Sequence, residues 1–351
     1  MKSRAIKKIA AIVIIAALAI TMAFALAACD DSGLGSGDIA ILVPNADHGW
    51  TGAVMSFAQE KAAEINEAGV YKANVITAID AANQISQIDD IAANKNYKSV
   101  VILPYDNSVE AALTRLANAD IPFIMVDRVI DSLVDDAVAT VKGDNEAIGY
   151  KTAERFLENG LTKSDKILII PGDLSSVPEM RNAGFKKALK EAGWTDAEIN
   201  AAITELDSTG WSRAKGRELF ENWINATTAA QYDFVFTHDS EISMGIFEAL
   251  KGAAIDDDVK AAFLNNHVNL AASSGLEESY QVLRGTHPAD YSDELAGLAD
   301  YFDVTYPPAM IQNGIQIMVD YLDGETIAEK DVIIEVEVVD VDNVKNYEGF
   351  K

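Results

Sequence analysis

Ile39-Ala40-Ile41-Leu42-Val43, closed by Pro44-Asn45 and followed by Val54, Phe57, Ala58, Ala62 and Ile65, is the stretch on which the fold turns. An unbroken apolar run of this length ended by a turn pair reads as a buried strand. Apolar residues at spacings of three and four read as a helix with one buried face. Gly69 stands where a helix C-terminal glycine belongs. The same unit then repeats. Residues 75–79 form the next strand, and its helix carries Ile85, Ile88, Ile91 and Ala92. Residues 100–103, closed by Pro104, and 122–126 are the third and fourth strands, with a helix near 109–119 between them, and 139–141 is a fifth.

The rhythm then restarts, with strands expected at 167–170, 203–206, 234–236 and 261–264 and helical patterns between them. Strands alternating with helices imply parallel sheets wound by right-handed crossovers. Two successive runs imply two such sheets, each with its own lobe, and a cleft between. Residues 268–300 read as a long link holding one or two helices. Residues 332–339, where Val and Ile alternate with Glu, read as a late edge strand.

The beginning of the chain indicates its compartment. Lys2, Arg4, Lys7 and Lys8 precede an apolar run over 9–28, and no acidic residue occurs before Asp30. A basic start before an apolar run reads as an export signal, although about 20 apolar residues also suffice to span a bilayer. Leu26-Ala27-Ala28-Cys29 resembles the lipobox of bacterial lipoproteins, and Cys29 is the single cysteine of the chain. Residues 1–28 are thus expected to be a lipoprotein signal peptide, and 29–37 a glycine-rich tether lipidated at Cys29. The protein would be exported and held at the outer face of the cell membrane, or its periplasmic side, through lipid alone.

One cysteine excludes a disulfide framework and a cysteine-based zinc site. The net charge of −27 argues against nucleic acid and anionic lipid as partners. Gly-x-Ser-x-Gly, His-Glu-x-x-His and phosphate-loop motifs are missing, and the four histidines (48, 238, 267, 287) lack metal-ligand spacing. No enzyme activity, cofactor or metal is expected.

In open parallel sheets ligands bind beyond the carboxyl ends of the strands. Asn45, Asp47, His48 and Trp50 follow the first strand, Tyr105, Asp106 and Asn107 the third, and Asp127 with Arg128 the fourth. In the second run, Pro171-Gly172-Asp173 leads to Glu179 and Arg181, and Trp211 with Arg213, His238-Asp239 and Asn265-Asn266 come later. Aromatic faces among carboxylates, amides and guanidinium groups suit a polyhydroxylated ligand. Carboxylates accept hydroxyl protons, guanidinium forks donate, and indoles cover the C–H faces. Local readings stand beside this one. Asp47, Asp106 and Asp173 also suit turns, Trp50 and Trp211 also suit packing, Asp127-Arg128 also reads as an ion pair, and Arg181 as an exposed helix residue.

Ile41 through Trp50, Ile121-Pro122-Phe123-Ile124-Met125-Val126-Asp127-Arg128 and Gly143-Asp144-Asn145-Glu146-Ala147-Ile148-Gly149 resemble the ribose- and galactose-type periplasmic binding proteins. Arg181-Asn182-Ala183-Gly184-Phe185, Trp211-Ser212-Arg213-Ala214-Lys215-Gly216 and Val235-Phe236-Thr237-His238-Asp239 continue the similarity in order. The resemblance implies an α/β fold of two similar doubly wound parallel-sheet lobes joined by a three-strand hinge. It suggests one lobe from 38–143 with 306–326 and another from 144–305 with 327–351. Trp50 and Trp211 would then stack on a sugar. Asp127 and Arg128 would bind its hydroxyls from the first lobe, Arg213, Asp239 and Asn265 from the second, and Thr305-Tyr306-Pro307 would be the last hinge crossing.

Asp47, Tyr105, Arg181 and Thr305 complete the expected ligand set, with His48 and Glu179 standing where the family has Asn and Arg. Asn265-Asn266 stands in place of the usual Asp-Gly. These departures leave the fold intact and the sugar open. The implied function is a monomeric capture protein for a small sugar that docks on the permease subunits of an ABC importer. The alternative is a sensor presenting a sugar, nucleoside or furanosyl signal to a membrane receptor.

Overall fold

The computed structural model describes residues 34–46, 49–226 and 232–351. The expected signal peptide, most of the tether and its lipidation site Cys29, as well as Asp47 and His48, lie outside the described residues. From Gly37 to Lys351 the chain forms one unit containing two sheets.

The first sheet is built from β1 (Gly37–Pro44), β2 (Ala73–Ala78), β3 (Tyr97–Ile102), β4 (Phe123–Val126), β5 (Ala139–Gly143) and β11 (Asp331–Ile334), in the order β11-β5-β4-β3-β1-β2. The second is built from β6 (Ile167–Ile170), β7 (Ile203–Glu205), β8 (Phe234–Thr237), β9 (Asn269–Ser274), β10 (Asp300–Thr305) and β12 (Val338–Val339), in the order β12-β10-β9-β8-β6-β7. Each sheet thus starts at its second position, steps outward once, then reverses. This doubly wound order is repeated in the two halves of the chain. Among the described residues the strands of both sheets pair in parallel, except β12 with β10. Strands covered on both faces need apolar side chains at every position, and Ile39 to Val43, β4, β6 and β8 are buried throughout.

The helices follow from local chemistry. α1 (Gly49–Ala68) buries Val54, Ala58, Ala62 and Ile65 of the face expected from its spacing and Trp50 as well, while Phe57 of that face is half-buried. α2 (Ala81–Asn94) begins at Asp80, whose carboxylate accepts the Asn83 amide and satisfies one of the free N–H groups of the first turn. α3 (Glu110–Asn118) completes the first run. α4 (Asn145–Glu158) and α5 (Ser176–Glu191) pack so closely that a Cβ on Gly149 would come 1.8 Å from the Arg181 carbonyl oxygen. α6 (Asp196–Ala202), α7 (Arg213–Ala226), α8 (Ser240–Lys251), α9 (Asp257–Asn265), α10 (Glu277–Leu283) and α11 (Ser292–Gly297) complete the second lobe, and α12 (Met310–Leu322) returns to the first sheet. There, Gly314 of α12 meets Val126, Ile124 and Val101. Among the described residues no helix is long and apolar enough to cross a membrane.

Three expectations are corrected. Residues 261–264 are not a strand but part of α9, in which Phe263 alone is buried. Acidic residues 256–258 at its start favour a helix N-terminus, and a four-residue apolar run does not by itself tell helix from strand. The strand expected there is β9, buried at all six positions yet written Asn-Leu-Ala-Ala-Ser-Ser, too polar to stand out. Residues 332–339 are not one strand but two. Asp331–Ile334 completes β5's free edge, where Thr140 Oγ1 donates to Asp331 at 2.7 Å, and Val338–Val339 turns antiparallel onto β10. The lobe boundary expected after residue 326 therefore moves. The first sheet keeps the chain through Ile334, so the last crossing is 335–337 and not Thr305-Tyr306-Pro307, which is the second.

Candidate functional site

The carboxyl ends of the two sheets face a cleft, and the crossing segments form its base. Its first wall comes from the first lobe. Asp127 follows β4 with φ +65°, a left-handed conformation that few side chains other than Asn and Asp adopt readily. Its amide donates to the Val141 carbonyl at 2.8 Å, so β5 holds the turn that aims the carboxylate inward. The Arg128 guanidinium donates to the Tyr105 carbonyl and stands 3.8 Å from the Asp127 carboxylate. Tyr105 is itself fixed by Gln84, whose side chain accepts the Tyr105 amide at 2.6 Å and donates to the Leu103 carbonyl at 3.0 Å. Trp50, in the first turn of α1, donates its indole N–H to the Tyr306 carbonyl at 2.9 Å.

The second wall comes from the other lobe. Ser175 caps α5, and Arg181 lies buried one turn and a half further along. The Arg181 Nε donates to Asn145 Oδ1 at 2.9 Å, and Nη1 donates to the His238 carbonyl and to Ser273 Oγ at 3.1 Å. Its guanidinium lies 5.5 Å from the Trp211 ring centroid and 5.1 Å from that of Tyr306, within cation–π range of both. Asp239 caps α8 by accepting the Glu241 amide at 2.8 Å. Trp211 sits at φ +63°, a second left-handed residue in the same site and a bulky one. Such backbone strain clusters at functional sites.

Tyr306, on the crossing after β10, joins the two walls. Its hydroxyl donates to Asp127 and accepts from Asn145 Nδ2 at 3.0 Å, and its ring stands 5.5 Å from that of Trp50. A Cβ on Gly143 would come 2.1 Å from the ring, so glycine is needed at the end of β5 for Tyr306 to lie there.

Trp50, Asp127, Arg128, Ser175, Val177, Arg181, Trp211, Asp239 and Tyr306 enclose an inner chamber of about 30 Å³. It opens into an outer chamber of about 840 Å³ at the cleft mouth, lined among others by Tyr105, Asp173, Glu179 and Trp211. Burial sets the electrostatics. It raises the Asp127 carboxyl above its ordinary range, against the lowering pull of Arg128. It pushes Asp239 up to about 7, against the Glu241 amide and Arg181. The same burial lowers Arg181 and, with Arg181 beside it, holds His238 well below the ordinary histidine value.

The structure brings six of the expected residues together around the inner chamber: Trp50, Asp127, Arg128, Arg181, Trp211 and Asp239. Tyr105 and Glu179 stand at the mouth. Three expected residues are elsewhere. Arg213 is held by Glu241 at 2.5 Å and Glu278 at 2.6 Å, so its donors are already occupied by carboxylates of its own lobe. Asn265 lies on the last turn of α9. Its neighbour Asn266 binds Asp233 at 2.7 Å, at the end where β8 and β9 begin, opposite the cleft. The misread strand at 261–264 had put it at the wrong end. Thr305 bonds Glu337 through both its amide and its hydroxyl at 2.9 Å, tying the second crossing to the third. It faces a groove behind the hinge with Pro307, Tyr347 and Phe350. Tyr306, Asn145, Ser175 and Val177 were missed as site residues. Tyr306 was legible as a hinge residue and Asn145 as part of the Gly143-Asp144-Asn145 stretch, but a valine carries no signal of its own.

Residues 39–326 match the family model described as a periplasmic binding protein domain. A protein of Rhizobium meliloti named for rhizopine binding is 27% identical over 179 residues, 50% of this chain and 55% of its own length. The galactofuranose-binding protein of Escherichia coli is also 27% identical over 179 residues, 49% of this chain and 54% of its own. The chain thus spans about half the length of the curated relatives it matches. Among solved structures, an ABC transporter solute-binding protein from Bacillus halodurans with bound myo-inositol superposes with a TM-score of 0.68 at 21% identity, covering 91% of this chain and 99% of that one.

Proposed function

This chain belongs to the periplasmic binding protein domain family, and on that premise we propose that it captures a small sugar or similar polyol between its lobes and delivers it to an ABC importer. Family membership implies an extracytoplasmic location. The observation that carries the ligand class is the inner chamber, where Trp50, Trp211 and Tyr306 surround two buried carboxyls and two guanidinium groups drawn from both lobes. Indole and phenol faces cover the C–H faces of a ring, and the charged groups bond its hydroxyls at on the order of 1.5–3 kcal/mol each. The relatives named for rhizopine and galactofuranose and the neighbour holding myo-inositol are consistent with this class.

The lining comes from both lobes, so a ligand is expected to enter as the lobes part and to be held as they close again about the crossings. The closed form then presents both lobes at once to a permease. The basic start, the apolar run and Cys29 favour an exported, lipid-anchored protein working at the membrane's outer face. A sensor handing the same closed form to a receptor is the second reading, because closure serves either partner.

The direct test is a thermal-shift screen of the mature protein against pentoses, hexoses, inositols and nucleosides. One sugar or polyol class is expected to raise the melting temperature, since a hundredfold excess over Kd adds about 2.7 kcal/mol. No shift with any of them, or a shift with nucleosides alone, overturns the reading. With the responding ligand, Trp50→Ala and Trp211→Ala are each expected to weaken binding at least tenfold, about 1.4 kcal/mol, measured by calorimetry. Unchanged affinity in both would remove the stacking role.

A further inference from the structure

Trp211 forms part of the chamber wall, and a side chain at a surface turn ordinarily samples several rotamers. Here the turn is fastened. Gly210 N donates to the Gly172 carbonyl at 2.9 Å, Ser208 Oγ to the same carbonyl at 2.7 Å, and Thr209 Oγ1 to the Pro171 carbonyl at 2.8 Å. The Trp211 amide in turn donates to Thr209 Oγ1 at 3.2 Å. The backbone that carries the indole is therefore tied to the loop after β6, and the ring lies against that loop. A Cβ built on Gly172 would come 2.1, 2.2 and 2.3 Å from Cζ3, Cη2 and Cε3, all atoms of the six-membered ring. The ring also meets the Arg181 guanidinium, 5.5 Å from its centroid.

We propose that Gly172 is a positioning residue for ligand binding, the bare stretch of backbone on which the Trp211 indole is seated so that it faces the cleft at a fixed depth. The proposal rests on the sugar-capture reading above. Gly172 is not among the left-handed glycines, so its lack of a side chain answers a close approach rather than an unusual turn. A methyl group there meets no backbone strain of its own. It meets the indole, which the three bonds to the loop prevent from retreating with its turn, so the ring is driven out of its seat into the chamber it lines. Glycine at 172 and tryptophan at 211 thus act as a pair, one making room for the other.

The test compares Gly172→Ala with the parent mature protein, titrated by calorimetry with D-galactose, L-arabinose and myo-inositol, with acrylamide quenching of tryptophan fluorescence measured without ligand. Gly172→Ala is expected to raise quenching and to weaken the best of the three ligands about tenfold, about 1.4 kcal/mol, with the melting temperature kept within a few degrees. The same substitution is then made on top of Trp211→Phe, whose shorter ring does not reach the Cζ3 and Cη2 positions. There Gly172→Ala is expected to cause no excess quenching and to lose most of its effect on affinity. A parent that binds while Gly172→Ala binds equally well, with unchanged quenching, overturns the proposal alone. Loss of affinity together with a collapsed melting temperature, undiminished when Trp211→Phe is also present, makes Gly172 structural and also overturns it. A parent that binds none of the three overturns the sugar reading for them and this proposal with it.

Discussion

Replacing Arg181 with methionine is expected to weaken sugar binding at least a hundredfold, about 2.7 kcal/mol, and to lower the stability of the ligand-free protein by about 2–4 kcal/mol. Methionine keeps much of the side chain's length, so the effect isolates the guanidinium rather than a cavity. In the ligand-free protein the head group has three acceptors, Asn145 Oδ1, the His238 carbonyl and Ser273 Oγ, on residues that are all buried. Removing the donor leaves each of them without that bond, at about 1–3 kcal/mol for an unsatisfied buried group. The carboxyls of Asp127, Asp239 and Asp303 lose a cation that now pulls all three down. Set against this is the relief of no longer burying a charge, which makes the net cost smaller than the sum of the broken bonds. Binding suffers as well, because a neutral side chain between Trp211 and Tyr306 offers a hydroxyl nothing to accept from. Arg181→Lys, which keeps the charge but not the planar fork, is expected to fall between the two. Denaturant unfolding and calorimetry check both halves. A methionine variant with parental stability and affinity would show that Arg181 is a bystander.

The second large effect is a pH dependence with an unusual sign. Burial pushes Asp239 up to about 7 and Asp303 up to about 6. In the unfolded chain both ionise near the ordinary value of about 4. Between these limits the folded protein holds protons that the unfolded chain has released, so folding is favoured by acid. The contribution is fully present below about pH 4 and is lost as the pH rises through the folded values. For Asp239 the span of about three pH units corresponds to on the order of 4 kcal/mol at most. The melting temperature of the ligand-free protein is therefore expected to fall from about pH 5 to about pH 8. A net charge of −27 adds self-repulsion in the same direction, so the discriminating measurement is Asp239→Asn, which should flatten the slope. Ligand reverses the relation at the site. Hydroxyl donors stabilise the ionised Asp239, so affinity should rise with pH through the same window. If the Asp239→Asn protein melts with the parental slope, this carboxyl is not responsible.

Asp303 shows how a buried acid is tolerated in such a lobe. It accepts Ser240 Oγ at 2.6 Å, Ser279 Oγ at 2.8 Å and the Gly275 amide at 3.1 Å. Three donors lower what burial raises, and they sit beside β9, which carries serines where a buried strand would ordinarily be Val and Ile. With its proton given to Asp303, Ser240 Oγ accepts from Ser274 Oγ of that strand at 2.9 Å. The polar character that hid β9 from the periodicity thus belongs to the network that holds Asp303.

Much of the architecture was legible because it depends on local patterns. The apolar runs of β1, β3, β4, β6 and β8 must be buried on both faces wherever they lie, and the spacing of Val54, Ala58, Ala62 and Ile65 admits one helix face. The segments after β1, β4, β7 and β8 named Trp50, Asp127, Arg128, Trp211 and Asp239, because a doubly wound sheet collects its ligand at the strands' carboxyl ends.

What tertiary structure alone decided is which of several equivalent polar groups is free to meet a ligand. Arg181 and Arg213 read alike along the chain, yet Arg181 lines the inner chamber beside Trp211 and Tyr306 while Arg213 is taken up by Glu241 and Glu278. Tyr306 enters the site from a crossing 179 residues beyond Asp127. Residues 331–339 divide between two sheets because each sheet leaves an open edge beside them. Side-chain periodicity reports which face of an element is buried, a property of neighbours three or four residues apart. Partner choice and edge pairing depend on distances between segments far apart in sequence, and only the folded chain sets those.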